Sequence, residues 1–175
     1  MKRWIAALSA IVLLFALCAC GKTQQPQTEP SVSATEAPSE GRISEKDSFY
    51  VHIPENWCKM EYTDKGSTIR LFNTRSAVDI EDDTEEIMIE MASETSQSTD
   101  AEVQALLQKT TAHEDEARTI DGYTFRCVIY THPEGRRYTV LVGLVDGHVT
   151  TVTLKGLYLD RDETAQSVVD SITFK

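Results

Sequence analysis

The chain has 175 residues, 41% of them hydrophobic and 26% charged, with 28 acidic against 17 basic side chains and a formal net charge of −11. That balance excludes nucleic acid as a partner, because a phosphate backbone demands a basic face. It also excludes adsorption to anionic lipid through a polybasic patch, and it suits a soluble domain that resists self-association.

The N-terminus has three parts. Lys2 and Arg3 give a positive start, IAALSAIVLLFAL (Ile5 to Leu17) is an unbroken run of small and apolar residues, and Leu17-Cys18-Ala19-Cys20 closes it. This is the layout of a secretory signal. As a helix the run would be about 20 Å long, short for a permanent span of a hydrocarbon core about 30 Å thick. The four closing residues resemble the lipobox of bacterial lipoproteins, in which Leu, two small residues and an invariant Cys mark cleavage and lipid attachment. Cys18 departs from the usual Ala, Ser or Thr but is small enough to fit. Taking Cys18 as the acylated residue would leave Leu17 before the cut, without the small residue, so Cys20 is the better frame. The resemblance implies that residues 1–19 are a signal peptide and that Cys20 carries a thioether-linked diacylglycerol. The chain would then be held on the outer face of a bacterial cell membrane by two acyl chains, enough for stable anchoring. Loss of Lys2 and Arg3 takes the formal charge from −11 to −13.

Residues 20–47, including TQQPQTEPSVSATEAPSEGRISEKD, are rich in Pro, Ser, Thr, Gln and Glu with scattered apolar residues. Such a composition cannot bury a core and predicts a disordered tether, spanning on the order of 30 Å as a coil. Ser48 to Lys175 leaves 128 residues, one domain with a core of its own.

Phe49-Tyr50-Val51-His52-Ile53 alternates and stops at Pro54, which predicts a strand. Lys59 to Asn73 predicts a hairpin turning at Asp64-Lys65-Gly66, and Glu86 to Met91 another strand. Thr99 and Glu102 stand in capping-box spacing before Val103, Leu106 and Leu107, predicting a helix. Asp121-Gly122 and Asp146-Gly147 are two-residue hairpin signals, with a longer turn at His132-Pro133-Glu134-Gly135. They join strands near Glu116–Ile120, Tyr123–Tyr130, Arg137–Val145 and His148–Leu154. The run Val140 to Val145 is apolar on both faces and predicts a strand covered on both sides. A last helix after Asp160 carries Ala165, Val168, Val169 and Ile172 on one stripe. The class is α+β: an antiparallel sheet of about six to eight strands, mostly a meander, packed by two main helices.

Three short patterns, Phe49-x-Val51-x-Ile53-Pro54-x-x-Trp57, Asp121-Gly122-x-x-Phe125 and Asp170-Ser171-Ile172-x-Phe174, resemble the PsbP-like fold. That superfamily includes the photosystem II extrinsic subunit, a nuclear-transport factor that binds a small GTPase, and many bacterial lipoproteins. The resemblance implies a sheet between helices and docking to another protein. It transfers no catalytic residue.

Four cysteines are present, and Cys18 and Cys20 belong to processing. Cys58 and Cys127 are candidates for a disulfide, which outside the cytoplasm can form and would be worth about 4 kcal/mol in the chain-entropy model; two separate buried thiols are the other reading. Asp79 to Glu86 is the densest acidic cluster. Read as a calcium loop it offers Asp79, Glu81, Asp83, Glu85 and Glu90 as ligands, but Thr84 stands where the loop needs Gly, so a solvated acidic loop is expected and no metal. The four histidines do not gather: His52 faces away from its strand's apolar side, His113 falls at a helix end, and His132 and His148 lie in or beside turns. Neither a zinc-ligand spacing, a nucleophile elbow, a phosphate loop nor a dinucleotide fingerprint occurs. The expectation is therefore a lipid-anchored extracytoplasmic binding or interaction module, without enzymatic activity or cofactor, meeting a protein partner at the cell surface. An envelope-associated hydrolase and a solute-binding accessory protein are the competing readings. A deep cleft with convergent polar groups would favour ligand or catalysis, a flat apolar patch a protein partner.

Overall fold

The structure, a computed structural model, describes residues 42–45, 48–62 and 66–175. The signal segment, Cys20, the tether to residue 41 and the Asp64-Lys65 part of the first hairpin turn lie outside them. In chain order the described elements begin with β1 (Arg42–Glu45), β2 (Phe49–Ile53), β3 (Cys58–Tyr62), β4 (Gly66–Phe72) and β5 (Glu86–Thr95). They continue with α1 (Asp100–Leu107), the meander β6 (His113–Ile120), β7 (Tyr123–Thr131), β8 (Arg137–Val145) and β9 (His148–Lys155), then α2 (Glu163–Asp170) and β10 (Thr173–Phe174).

Seven strands form one antiparallel sheet in the order β3-β4-β5-β9-β8-β7-β6, and three form a second in the order β1-β2-β10. The domain is α+β with sheet outweighing helix, since each helix has only eight residues. The hairpin signals act as predicted. Asp121 and Gly122 take φ of 46° and 84°, Asp146 and Gly147 take 49° and 84°, the pair of positive values that suits a two-residue turn to the strand twist.

Four expectations change. The strand at Phe49–Ile53 stands outside the main sheet, joined to β1 and β10, because its buried side packs over that sheet rather than beside it. Arg42–Glu45, read as tether, pairs residue by residue with β2; it is too short and polar to announce itself. Thr99 makes no side-chain cap. It sits in the helical region while Ser98 Oγ accepts from the Asp100 amide at 3.0 Å. His113 opens β6 instead of ending a helix.

Strand register sorts the main sheet into two faces. On the first, Ile69, Leu71, Ile87, Ile89, Leu141, Phe125 and Leu154 form the main core under β2 and α2, whose Ala165, Val168 and Val169 are buried. On the second, α1 covers Val128, Val140 and Val142 with Val103 and Leu106. The stretch from Val140 to Gly143 is thus covered on both sides, as its composition predicts. α2 begins at a formed cap, the Asp162 side chain accepting from the Ala165 amide at 3.0 Å. Among the described residues no helix is long and apolar enough to cross a membrane.

Candidate functional site

One end of the sheet is fastened. The Tyr123 hydroxyl donates to Asp146 at 2.8 Å, the Phe174 amide donates to Asp121 at 2.7 Å, and the Phe174 ring meets Tyr123 edge-on and stacks on Phe125. The opposite end carries the stretches of β6, β7 and β8 that line a cleft. This cleft, of about 360 Å³, opens on the first face of the sheet and is bounded on its far side by Leu159 and Asp160.

Three strands build the floor and walls. β7 contributes Cys127 and Ile129, β8 contributes Arg137 and Thr139, and β6 contributes Asp115, Glu116 and Arg118. A bulge in β6 sets the last group. Asp115 pairs with Cys127 and Arg118 with Phe125, so Glu116 and Ala117 together stand opposite Arg126. In a regular strand residues three apart point to opposite faces. The extra residue brings Asp115 and Arg118 to the same face, which is how bulges re-aim side chains beside sites.

The floor carries unmet hydrogen-bonding capacity. Thr139 is 2% exposed, and its hydroxyl has no partner; neither has the buried Nε of Arg137. Among the described residues these are the two buried side-chain polar atoms without a partner, and both line this cleft. Leaving such a group dry costs about 1–3 kcal/mol. The Arg137 guanidinium lies 4.8 Å from the centre of the Tyr158 ring, which Arg161 approaches to 4.5 Å, so its direction is held by stacking.

Burial pushes the Cys127 thiol up to about 11; Asp115 adds to this, while Arg118 and Arg137 pull the other way. At neutral pH the sulfur is a neutral thiol and a poor nucleophile. The cleft offers hydrogen-bond donors at its floor and carboxylates at its mouth, where Asp115, Glu116 and Asp160 are exposed.

Of the residues singled out in the sequence, Cys127 lines the cleft and the others lie elsewhere. Cys58 and Cys127 are both free. Four strands separate them, about 24 Å of sheet, and by register they point to opposite faces. A disulfide needs a Cα separation of about 4.4–6.8 Å, so this pair forms none. Burial raises the Cys58 thiol as well. Asp79 closes a short 3-10 turn, Glu81 and Asp83 are exposed in the loop after it, and Glu90 sits within β5 opposite Thr68 and Thr151. The loop–strand break after Glu85 keeps Glu90 from wrapping with the others, and the described residues bring no three His, Cys, Asp or Glu side chains together as a metal site. His148 Nδ1 meets the Ala92 carbonyl at 2.9 Å, and His132 lies 3.4 Å from Glu134; neither joins the cleft.

Sequence reading passed over Arg118, Arg137 and Thr139. The signal available was a hydroxyl at the head of an apolar run, Thr139-Val140-Leu141-Val142, on the side that alternation assigns to the core. Among the described residues the one buried charged residue, Glu86, is 5% exposed but forked to Arg70 through both oxygens, with the guanidinium over Phe72. It is satisfied, and it holds the second face together near the 73–85 loop.

No protein-family model matches the chain, and no curated protein is significantly similar to it. Among solved structures it is similar to a protein from Bacteroides thetaiotaomicron VPI-5482, known from a crystal structure at 1.50 Å resolution. The two share 13% sequence identity with a TM-score of 0.48, over 79% of this chain and 49% of that one. The chain spans about half the length of that protein.

Proposed function

We propose that this chain is a lipid-anchored extracytoplasmic binding module, without catalysis of its own, whose ligand is a small polar molecule seated in the cleft between β6, β7, β8 and the 157–160 segment. The observation that carries the reading is the pair of unpartnered buried atoms, Thr139 Oγ1 and Arg137 Nε, at a cleft of about 360 Å³. A volume at the small end of ligand pockets, with a few convergent polar groups, is the usual form of a small-molecule site. The thiol lining it is held neutral, which supports binding over covalent catalysis. The one large apolar side chain that stands exposed among the described residues, Val78, is alone on its loop. That favours a small ligand over an apolar docking patch as the primary contact.

The remaining parts belong to the same proposal. Residues 1–19 direct export, diacylglycerol on Cys20 holds the chain at the outer face of a bacterial membrane, the domain is a PsbP-like variant of the α+β class, and a protein partner at the cell surface responds to the module. Two experiments test this. Methyl signals of Ile129 and Thr139 are followed by NMR while sugars, nucleotides, carboxylates and amino acids are added in turn; movement with one class supports the cleft, and no movement with any class rejects it. In a bacterial host, Cys20→Ala releases the protein from the membrane fraction and abolishes incorporation of labelled fatty acid. Unchanged labelling would reject the anchor.

A further inference from the structure

Building on the cleft as a binding site, we infer that its ligand is a zwitterion of amino-acid or dipeptide type, carboxylate inward and ammonium outward. The polarity of the cleft runs in one direction. At the floor, Arg137 Nε and the Thr139 hydroxyl have no partner and no solvent, and Arg118 stands on the same face through the β6 bulge. These are donors, and guanidinium with hydroxyl is the donor set that takes a carboxylate. At the mouth Asp115, Glu116 and Asp160 are exposed, acceptors suited to an ammonium group.

Charge decides between a zwitterion and a plain anion. Two cleft arginines face three cleft carboxylates, on a chain whose formal charge is −11. A simple anion would pass the carboxylates to reach the arginines, whereas a zwitterion carries its own counter-charge and meets both groups with opposite sign. Size agrees. The cleft of about 360 Å³ is roughly the volume of a dozen water molecules, room for a dipeptide and too little for an oligomer. The acid-rich mouth and the stacking that holds Arg137 against Tyr158 belong to the same arrangement.

The test is calorimetric titration of the full chain in detergent with three matched probes. Alanyl-alanine carries both charges, N-acetylalanine lacks the ammonium group, and alanyl-alaninamide lacks the carboxylate. Alanyl-alanine is expected to bind at least tenfold more tightly than either. Thr139→Val and Arg137→Met are each expected to weaken it tenfold or more, while Thr139→Val melts no lower than the parent when no ligand is present. That melting control separates a lost contact from a lost fold. Equal binding of N-acetylalanine would overturn the zwitterion, as would alanyl-alanine binding that neither substitution changes. If none of the three probes binds while a sugar or nucleotide moves the Ile129 signal, the ligand class is wrong and the cleft stands. If nothing moves that signal, both fall.

Discussion

Thr139 shows how a single side chain can trade stability for binding. Its row of the sheet reads Leu71, Ile87, Leu154, Thr139, Ile129, and an apolar residue there would complete the core. Valine has the shape of threonine without the hydroxyl, so Thr139→Val removes a dry, unpaired group and leaves no void. It is expected to raise stability by about 1 kcal/mol, read as a higher urea midpoint with unchanged slope; a lower midpoint would mean that the hydroxyl is satisfied in solution. Cys127, beside it, gives a pH signature. Its thiol titrates near 11 when folded and at its ordinary 9.0 when free of the fold. Below pH 9 both states hold the proton, whereas between pH 9 and 11 the unfolded chain loses it first, so stability falls as pH rises. Thermal melts of Cys127→Ala from pH 8 to 11 should fall less steeply than those of the parent, which cancels the shared effect of the raised tyrosines Tyr123 and Tyr130. Parallel slopes would place Cys127 in contact with water. The sequence offered Cys127 only as half of a disulfide and Thr139 not at all, because alternation reports which side a residue faces and not whether its partner atom exists.

The elements divide by how locally their causes act. The Asp-Gly turns were legible because a positive φ at two successive residues is a demand on those two residues alone. The β6 bulge was not, since Glu116-Ala117 carries no glycine and the extra residue is defined only against Arg126 on the partner strand. The α1 cap failed for a related reason: Thr99 and Glu102 have capping-box spacing, but the preceding turn hands the Asp100 amide to Ser98 instead. β8 holds the tightest fit. A Cβ built on Gly143 would come within 2.7 Å of the Phe125 ring, which is fully buried and stacked on Phe174. The ring has no room to retreat, so Gly143→Ala is expected to cost about 2–3 kcal/mol by overpacking, and adding Phe125→Leu should recover part of it. Denaturation of the single and double variants gives the coupling; strictly additive losses would show that the two do not press on each other.

At the scale of the molecule, the small sheet decides where the tether stops and the domain starts. Composition placed that boundary at residue 48, since Arg-Ile-Ser-Glu has one apolar side chain and sits within a polar run. The structure makes those residues a strand whose whole length pairs with β2, from Arg42 opposite Ile53 to Glu45 opposite Tyr50. β2 is the lid of the main core, carrying Phe49, Val51 and Ile53, all buried, and among the described residues its other edge is only partly occupied, by the two residues of β10. Removing β1 would therefore bare a row of backbone donors and acceptors along a strand that the core depends on. An open edge of that kind loses its own hydrogen bonds and invites another chain to supply them. A chain starting at residue 42 is expected to melt as the full-length protein does and to run as a monomer. One starting at residue 48 should lose roughly 1–3 kcal/mol, judged from four paired residues less the entropy of ordering them, and should associate as its concentration rises. Melting curves and size-exclusion runs at two concentrations decide the matter. Identical behaviour of the two chains would return Arg42–Glu45 to the tether and leave β2 held by the core beneath it alone.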